Sequence, residues 1–125
     1  MCGQVCEVEL IHADVVQAAR AALPSAAEQA SLTALFALFS NATRLNLLFA
    51  LRSAQGRAPP ELCVCDLTAI TRASQSMVSH QLGILRDANL VTARRAGRLV
   101  YYRLAEGPLA ALLDRTLHSS RKEAA

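Results

Sequence analysis

The feature that most constrains the fold is a change of hydrophobic period near residue 90. Residues 65–91, CDLTAITRASQSMVSHQLGILRDANLV, carry apolar residues at helical spacing on both sides of a short turn at TRAS. The next stretch, LVTARRAGRLVYYRL, is β-prone, and Ala96-Gly97 can turn between two strands. Two helices across a tight turn followed by a β-hairpin predict a winged helix-turn-helix, with an unrelated α+β packing as the alternative.

The rest of the chain is predicted to be helical. Ala and Leu dominate a hydrophobic content of 53%, and aromatic residues make up only 4%, which favours helices. We expect three helices before the pair, within residues 12–24, 26–40 and 42–56, and a final helix starting at Pro108. The predicted N-caps are Ser25, Asn41 and Ser74. The fold class is therefore mainly α with a β-hairpin wing.

Helical periodicity also predicts which apolar side chains point inward. The expected inward residues are Leu45, Leu48, Phe49 and Leu51 in the third helix. The expected apolar stripe of the second helix is Leu32, Leu35, Phe36 and Phe39, and the expected apolar face of the helix after the turn is Met77, Val78, Leu82 and Leu85.

Net charge and hydropathy indicate the cellular compartment and the class of partner to expect. The net charge of +3 is mildly basic and compatible with a phosphate-bearing partner. The longest apolar run, residues 32–39, is far short of the roughly 20 residues that a membrane span needs. The first residues lack the basic start and apolar centre of a signal peptide. We therefore expect a cytoplasmic protein without a membrane partner. In that compartment its four cysteines are not expected to form structural disulfides.

Two groups of polar residues suit DNA. A recognition helix enters the major groove with its N-terminal residues at the base edges, and Gln or Ser can pair there. The hairpin turn carries three arginines, which suit phosphates. Each residue alone is more often an ordinary solvated side chain, but the set favours DNA binding by Gln75, Ser76, Ser79, His80, Arg94, Arg95 and Arg98.

Apolar stripes in the first and last helices indicate a dimer. A domain of this size has little interior left to cover both, so we expect them to pair with a second copy, as a two-fold operator would require. The stripes are Val15, Val16, Ala19 and Leu23 in the first helix and Leu109, Leu112, Leu113 and Leu117 in the last.

The segment ELCVCDL holds Cys63 and Cys65 one residue apart. Residues two apart on a regular helix point about 200° away from each other, so both thiols can face one ion only at a helix start or in extended chain. The prolines of RAPPELCVCDL keep the chain extended there, and Asp66 suits a first helical turn. Each cysteine alone could instead be a small hydrophobic filler.

The chain resembles the ArsR/SmtB family of metal-responsive repressors. The resemblance spans about residues 30–105 and rests on NATRLNLLFAL, ELCVCDL, SQSMVSHQLGILRDANLV and RRAGRLVYYRL in the family's order and spacing. It implies a homodimeric winged-helix repressor that binds operator DNA until a metal ion binds. It also implies that the first and last helices form the dimer interface, which gives an arm and first helix at 1–24 and a DNA-binding domain with a dimerisation helix at 25–120.

The finer resemblance is to the CadC-type cadmium and lead sensors, which carry a Cys-x3-Cys pair in an N-terminal arm. MCGQVC has that spacing, so the resemblance implies the ligand set Cys2, Cys6, Cys63 and Cys65, with Cd(II) or Pb(II) as the effector and Zn(II) as a further candidate. The family's zinc ligands of the final helix are not reproduced, because Pro108 stands where the first histidine is expected and His118 is one position off the second.

Other readings use the same cysteines. A thiol-based redox repressor would share the DNA surface and differ in the signal, and a sensor of arsenic, antimony or bismuth would differ in the ion. A structural zinc site would hold the fold without regulating it. A small thiol enzyme is disfavoured because the chain has neither Cys-x-x-Cys nor a βαβ pattern. The sequence therefore predicts a DNA-binding regulator rather than an enzyme.

Overall fold

The protein is mostly helical with one small antiparallel sheet. A computed structural model of the chain describes residues 12–124. Its elements are α1 Ala13–Ala21, α2 Ala26–Leu38, α3 Ala42–Ala54, β1 Leu62–Cys63, α4 Val64–Thr71, α5 Gln75–Asp87, β2 Val91–Ala96, β3 Leu99–Leu104 and α6 Leu109–Ala124. This order confirms the predicted fold class. Within the described residues, no single helix is long and apolar enough to cross a membrane.

The chain divides into two compact units between Ala34 and Leu35. The first unit contains α1 and most of α2. Ser25 and Glu28 cap α2 reciprocally: the Glu28 carboxylate accepts from the Ser25 amide at 2.8 Å, and Ser25 Oγ accepts from the Glu28 amide at 3.1 Å. No residue of α1 or α2 is fully buried, so the apolar faces of both helices lack a complete cover within the described chain.

The core lies in the second unit, where α3, α4 and α5 each contribute one face and the sheet closes the far side. Helices of this kind gain most of their stability from burying such a face. The largest fully buried side chains are Leu47, Leu48, Leu51, Leu67, Val78, Leu82, Leu85, Val91 and Leu104.

Not every residue of the predicted apolar stripes is buried. Met77, Leu32 and Phe36 are 45%, 43% and 56% exposed, whereas the unpredicted Leu47 is completely buried. Leu45 is only half-buried. Periodicity identifies an apolar stripe, but which edge of the stripe meets neighbouring elements depends on how the helices pack.

The turn between α4 and α5 forms where the sequence predicts it. Arg72 ends α4 in the left-handed conformation, with φ of 60°. Ser74 then caps α5, its hydroxyl accepting a hydrogen bond from the Met77 amide at 3.1 Å. Asn41 caps α3 in the same way, through the Arg44 amide at 2.9 Å. These caps fix where the helix pair begins and ends.

The predicted hairpin is formed by β2 and β3, with Gly97 in the turn at φ of 63°. A third strand, β1, was not predicted. It has two residues and pairs with β3, so the strand order is β1-β3-β2 and Cys63 lies opposite Tyr101. The residues just before α4 are therefore part of the same sheet as the wing.

Helix α6 is divided between the protomer core and the surface. Leu109 and Leu113 are 9% and 3% exposed and pack in the protomer core, so the expectation that both face a second copy is wrong. Leu112 is 38% exposed and stays available. An ion pair between Arg52 and Asp114, 2.9 Å from nitrogen to oxygen, ties α3 to α6.

Candidate nucleic-acid interface and cysteine segment

The first half of α5 presents its polar residues to solvent. Gln75, Ser76, Ser79 and His80 are all exposed, because α5 uses Val78, Leu82 and Leu85 to pack on the core. The structure therefore brings the four predicted base-reading residues together on one free surface. Their contact with DNA stays a prediction.

A buried polar contact that sequence reasoning missed fixes α5 against α3. Gln81 is 8% exposed, and its side-chain oxygen accepts a hydrogen bond from Arg44 Nη1 at 2.8 Å. Arg44 Nε also donates to the Leu38 carbonyl at 2.8 Å. The other side of the Gln81 amide lies 3.6 Å from the sulfur of Met77. No local pattern indicates this contact, because its partners are 37 residues apart.

The three arginines of the wing are not equivalent. Arg95 and Arg98 are exposed at and beside the hairpin turn and suit phosphate contacts. Arg94 instead reaches back to Glu61: its Nε lies 3.2 Å from both carboxylate oxygens, and its Nη2 contacts Oε1. Its guanidinium also stacks on Tyr101, 4.7 Å from the ring centre. The charge of Arg94 is therefore already matched within the protein.

Glu61 is the functional candidate that the sequence did not reveal. Its side chain is only 1% exposed, and Arg103 Nη2 lies 3.3 Å from its second oxygen. Hydrogen bonding from Arg94, and secondarily from Arg103, holds the pKa of this carboxyl below its usual range despite burial. Glu61 therefore carries a negative charge at the edge of the sheet.

The cysteine segment, residues 62–66, begins in β1 and ends in the first turn of α4. Cys63 is the N-cap of α4 and forms a capping box with Asp66, whose carboxylate accepts from the Cys63 amide at 3.3 Å. Cys63 is 8% exposed, and burial raises the pKa of its thiol. Cys65, in contrast, is exposed. The segment lies at the predicted helix start.

These two thiols are soft donors of the type that Cd(II), Pb(II) and Zn(II) accept. Among residues 12–124, no group of three or more His, Cys, Asp or Glu side chains is placed to hold a metal ion. The two thiols fit part of a thiolate set, which further ligands must complete. Cys2 and Cys6, the other predicted ligands, lie outside the described residues.

An apolar groove of about 420 Å³ lies between the end of α2, α3 and α6. Phe36, Phe39, Phe49, Leu112 and Leu117 are among the residues that line it. Phe36 and Leu112 are well exposed, and a monomeric protein seldom leaves large apolar groups together at its surface.

Comparison with known proteins agrees with this geometry. Residues 41–93 match the family described as bacterial regulatory proteins of the arsR family. A transcriptional repressor SmtB homolog of Synechocystis is 40% identical over 102 residues, which are 82% of this chain and 73% of that protein. A CadC homolog of Staphylococcus aureus, a cadmium resistance regulatory protein, is 32% identical over 99% of this chain and 98% of its own.

A solved structure is similar over nearly the whole chain. The crystal structure of the antimony-specific transcriptional repressor AntR is 28% identical, superposes with a TM-score of 0.69, and covers 98% of this chain and 94% of its own.

Proposed function

Because this chain belongs to the ArsR/SmtB family of metal-responsive transcriptional repressors, we propose that it binds operator DNA as a homodimer and releases it when cysteine thiolates hold Cd(II) or Pb(II). Zn(II) is a further candidate effector. Membership of this family makes the chain a regulator of transcription and not an enzyme. A repressor acts where the chromosome is, so we expect it in the cytoplasm.

The observation that carries this proposal is the position of the cysteine segment. Cys63 and Cys65 stand at the N-terminus of α4, the first helix of the pair whose second helix exposes Gln75, Ser76, Ser79 and His80. A change in the segment therefore acts on an element packed directly against α5. A coupling of about 1–3 kcal/mol between the two sites would lower operator affinity roughly 5–150-fold.

The proposed ligands are Cys2, Cys6, Cys63 and Cys65. A bound soft ion would supply a strong attraction for thiolates and so favour loss of their protons. The similarity to a cadmium resistance regulator over 99% of the chain supports cadmium as the effector. Cys63 must give up its proton to take part, and it does so from a buried position, whereas Cys65 is exposed.

The apolar groove supports the homodimer. Of its exposed members, Leu112 belongs to α6, one of the two helices predicted to form the interface, and Phe36 lines the same groove. Val15 of α1 and Leu23, two residues beyond the end of that helix, are 59% and 68% exposed and belong to the other part of the predicted stripe. Burying such side chains against a second copy would remove apolar area from water.

An antimony or arsenic sensor is the second candidate. The similarity to an antimony-specific repressor over 98% of the chain favours it, and three thiolates suit these ions. A redox repressor would use the same cysteines as disulfides in place of a metal site.

The discriminating experiment is an operator-binding titration against a panel of Cd(II), Pb(II), Zn(II), Sb(III) and As(III), with ultraviolet thiolate-to-metal absorption followed in parallel. We expect Cd(II) or Pb(II) to release the wild-type protein from DNA. Cys63→Ser and Cys65→Ser should bind operator but fail to release it, and Cys2→Ser should lose less of the response, because three thiolates still satisfy Pb(II).

Oxidation under chelator provides the control for the redox alternative. If both Cys63→Ser and Cys65→Ser leave DNA at wild-type metal concentrations, the sensing site lies elsewhere. Release of the wild-type protein by oxidant alone would favour the redox repressor.

A further inference from the structure

Glu61 is a buried acid for which the proposed function provides no role. It lies directly before the cysteine segment, with a side chain that is 1% exposed. Burying a carboxylate is costly unless charged partners compensate it, and here both partners, Arg94 and Arg103, come from the wing. One side chain thus joins the cysteine segment to the DNA-binding hairpin.

The sheet register places one residue each of β1, β3 and β2 side by side across the sheet. Cys63 of β1 lies opposite Tyr101 of β3, and Tyr101 lies opposite Arg94 of β2. Directly paired residues project to the same face of a sheet, so Cys63, Tyr101 and Arg94 share one face. The stacking of the Arg94 guanidinium on Tyr101 at 4.7 Å agrees with that arrangement.

Strand β1, which links the cysteine segment to the wing, is short and forms few backbone hydrogen bonds. Strand β1 consists of Leu62 and Cys63 and, among residues 12–124, pairs only with β3. Arg94 keeps a side-chain exposure of 53% and Arg103 one of 41%, so both can move without disrupting the core. A shift of β1 therefore carries Glu61 with it and changes what holds the two arginines.

The cysteines supply a reason for such a shift. Cys63 is buried at the N-cap of α4, and Cys65 is exposed one residue beyond Val64. A metal ion that draws the buried sulfur of Cys63 towards the exposed Cys65 would pull on the residue that β1 pairs with Tyr101. Glu61 is two residues away in the same extended chain.

We propose that Glu61 is the positioning residue that couples the cysteine segment to the wing, by holding Arg94 and Arg103 only while Cys63 keeps its buried place in β1. This inference rests on the proposed function, because it assigns the path by which the thiol site acts on DNA. When β1 shifts, Arg94 and Arg103 lose their shared carboxylate. The wing then loses the contacts that fix its orientation, so it no longer fits the DNA backbone.

Glu61→Gln tests the link, because it keeps the shape of the side chain and removes its charge. Operator affinity is measured with chelator and with saturating Cd(II), and Cd(II) binding is followed by thiolate absorption. The quantity compared is the ratio of the dissociation constant with Cd(II) to the dissociation constant with chelator. We expect Glu61→Gln to bind Cd(II) through the same absorption band, while the ratio falls about fivefold or more from its wild-type value.

A second readout needs no metal. In Glu61→Gln the ion pairs that fix the wing are already lost, so operator affinity under chelator should fall towards the value that the wild-type protein has with Cd(II). A merely structural role for Glu61 would lower stability and leave the ratio of the two dissociation constants unchanged. Asp114→Asn is the matched control, because it removes another carboxylate that an arginine contacts at 2.9 Å, between α3 and α6, away from the wing.

Arg103→Gln gives an independent test if Glu61→Gln fails to fold. It removes one of the two arginines that pair with Glu61, and it does so at an exposed side chain. The ratio of the two dissociation constants should again fall, whereas Asp114→Asn should keep the wild-type ratio. An unchanged ratio with Cd(II) demonstrably bound, or an unchanged operator affinity under chelator, overturns the role of Glu61 and leaves the proposed function intact. A wild-type protein that stays on DNA with every ion of the panel overturns the proposed function itself, and this inference with it.

Discussion

At the scale of single residues, charge alone does not identify a DNA contact. The sequence presents Arg94, Arg95 and Arg98 as one basic group, but Arg94 is paired with a buried carboxylate and stacked on Tyr101. Arg95 and Arg98 have no such attachment among the described contacts and are exposed. We therefore rank Arg95 and Arg98 above Arg94 as phosphate contacts.

Arg95→Ala should weaken binding to specific and random DNA alike. Loss of one phosphate contact reduces the logarithmic salt slope by about 0.9 of a unit, since each contact releases counterions on binding. Fluorescence anisotropy over a range of KCl concentrations measures the slope. Arg115→Ala, an exposed arginine of α6, is the control and should keep the wild-type slope. A loss restricted to the specific site would place Arg95 among the base-reading residues instead.

At the scale of elements, the position of α6 depends on α3 through Leu113 in the core and through Arg52 and Asp114 at the surface. Arg52 Nε and Nη2 donate to the two carboxylate oxygens of Asp114 at 3.0 and 2.9 Å. Hydrogen bonding from Arg52 lowers the pKa of Asp114 below its ordinary value. Both side chains are substantially exposed, so the contribution to stability is small.

The pH dependence of the Arg52–Asp114 ion pair follows from the lowered pKa of Asp114. The ion pair stabilises the fold above the pKa that Asp114 has in the unfolded chain, and this contribution is lost as pH falls through the folded pKa. Asp114→Asn should therefore lower the free energy of unfolding at neutral pH, and the difference from wild type should shrink in acid. Urea unfolding at a series of pH values measures it, and Arg52→Gln should produce the same profile. A difference that grows in acid would contradict the assignment.

At the scale of the whole molecule, the apolar groove predicts that the protomer is incomplete alone. Phe36→Asp should convert the proposed homodimer to a monomer, because the side chain is 56% exposed in the protomer and its substitution costs the core little. Sedimentation equilibrium at micromolar concentration measures the change. Ile70→Asp is the matched control, since Ile70 is 53% exposed but lies on α4 outside the groove. A wild-type monomer at that concentration would exclude this interface.

The sequence by itself determined the elements whose signals are local. Ser25, Asn41 and Ser74 accept the hydrogen bonds of their own helices' first turns, and Gly97 turns the hairpin at positive φ. The three capping hydrogen bonds each join residues three apart, and a turn depends on one or two residues, so the residue types indicate them directly. The same locality revealed the helix pair, the wing and the position of Cys63 and Cys65 at a helix start.

Only the tertiary structure decided which side of each stripe is buried and which charges are paired. Leu47 is fully buried and Met77 is exposed because of how α3, α4 and α5 pack together. Strand β1 exists because Leu62 and Cys63 reach Tyr102 and Tyr101, about forty residues further along the chain. The pairing of Glu61 with Arg94 depends on that register. A two-residue strand has too little pattern of its own to be recognised, and a contact between residues 33 apart leaves no local signal.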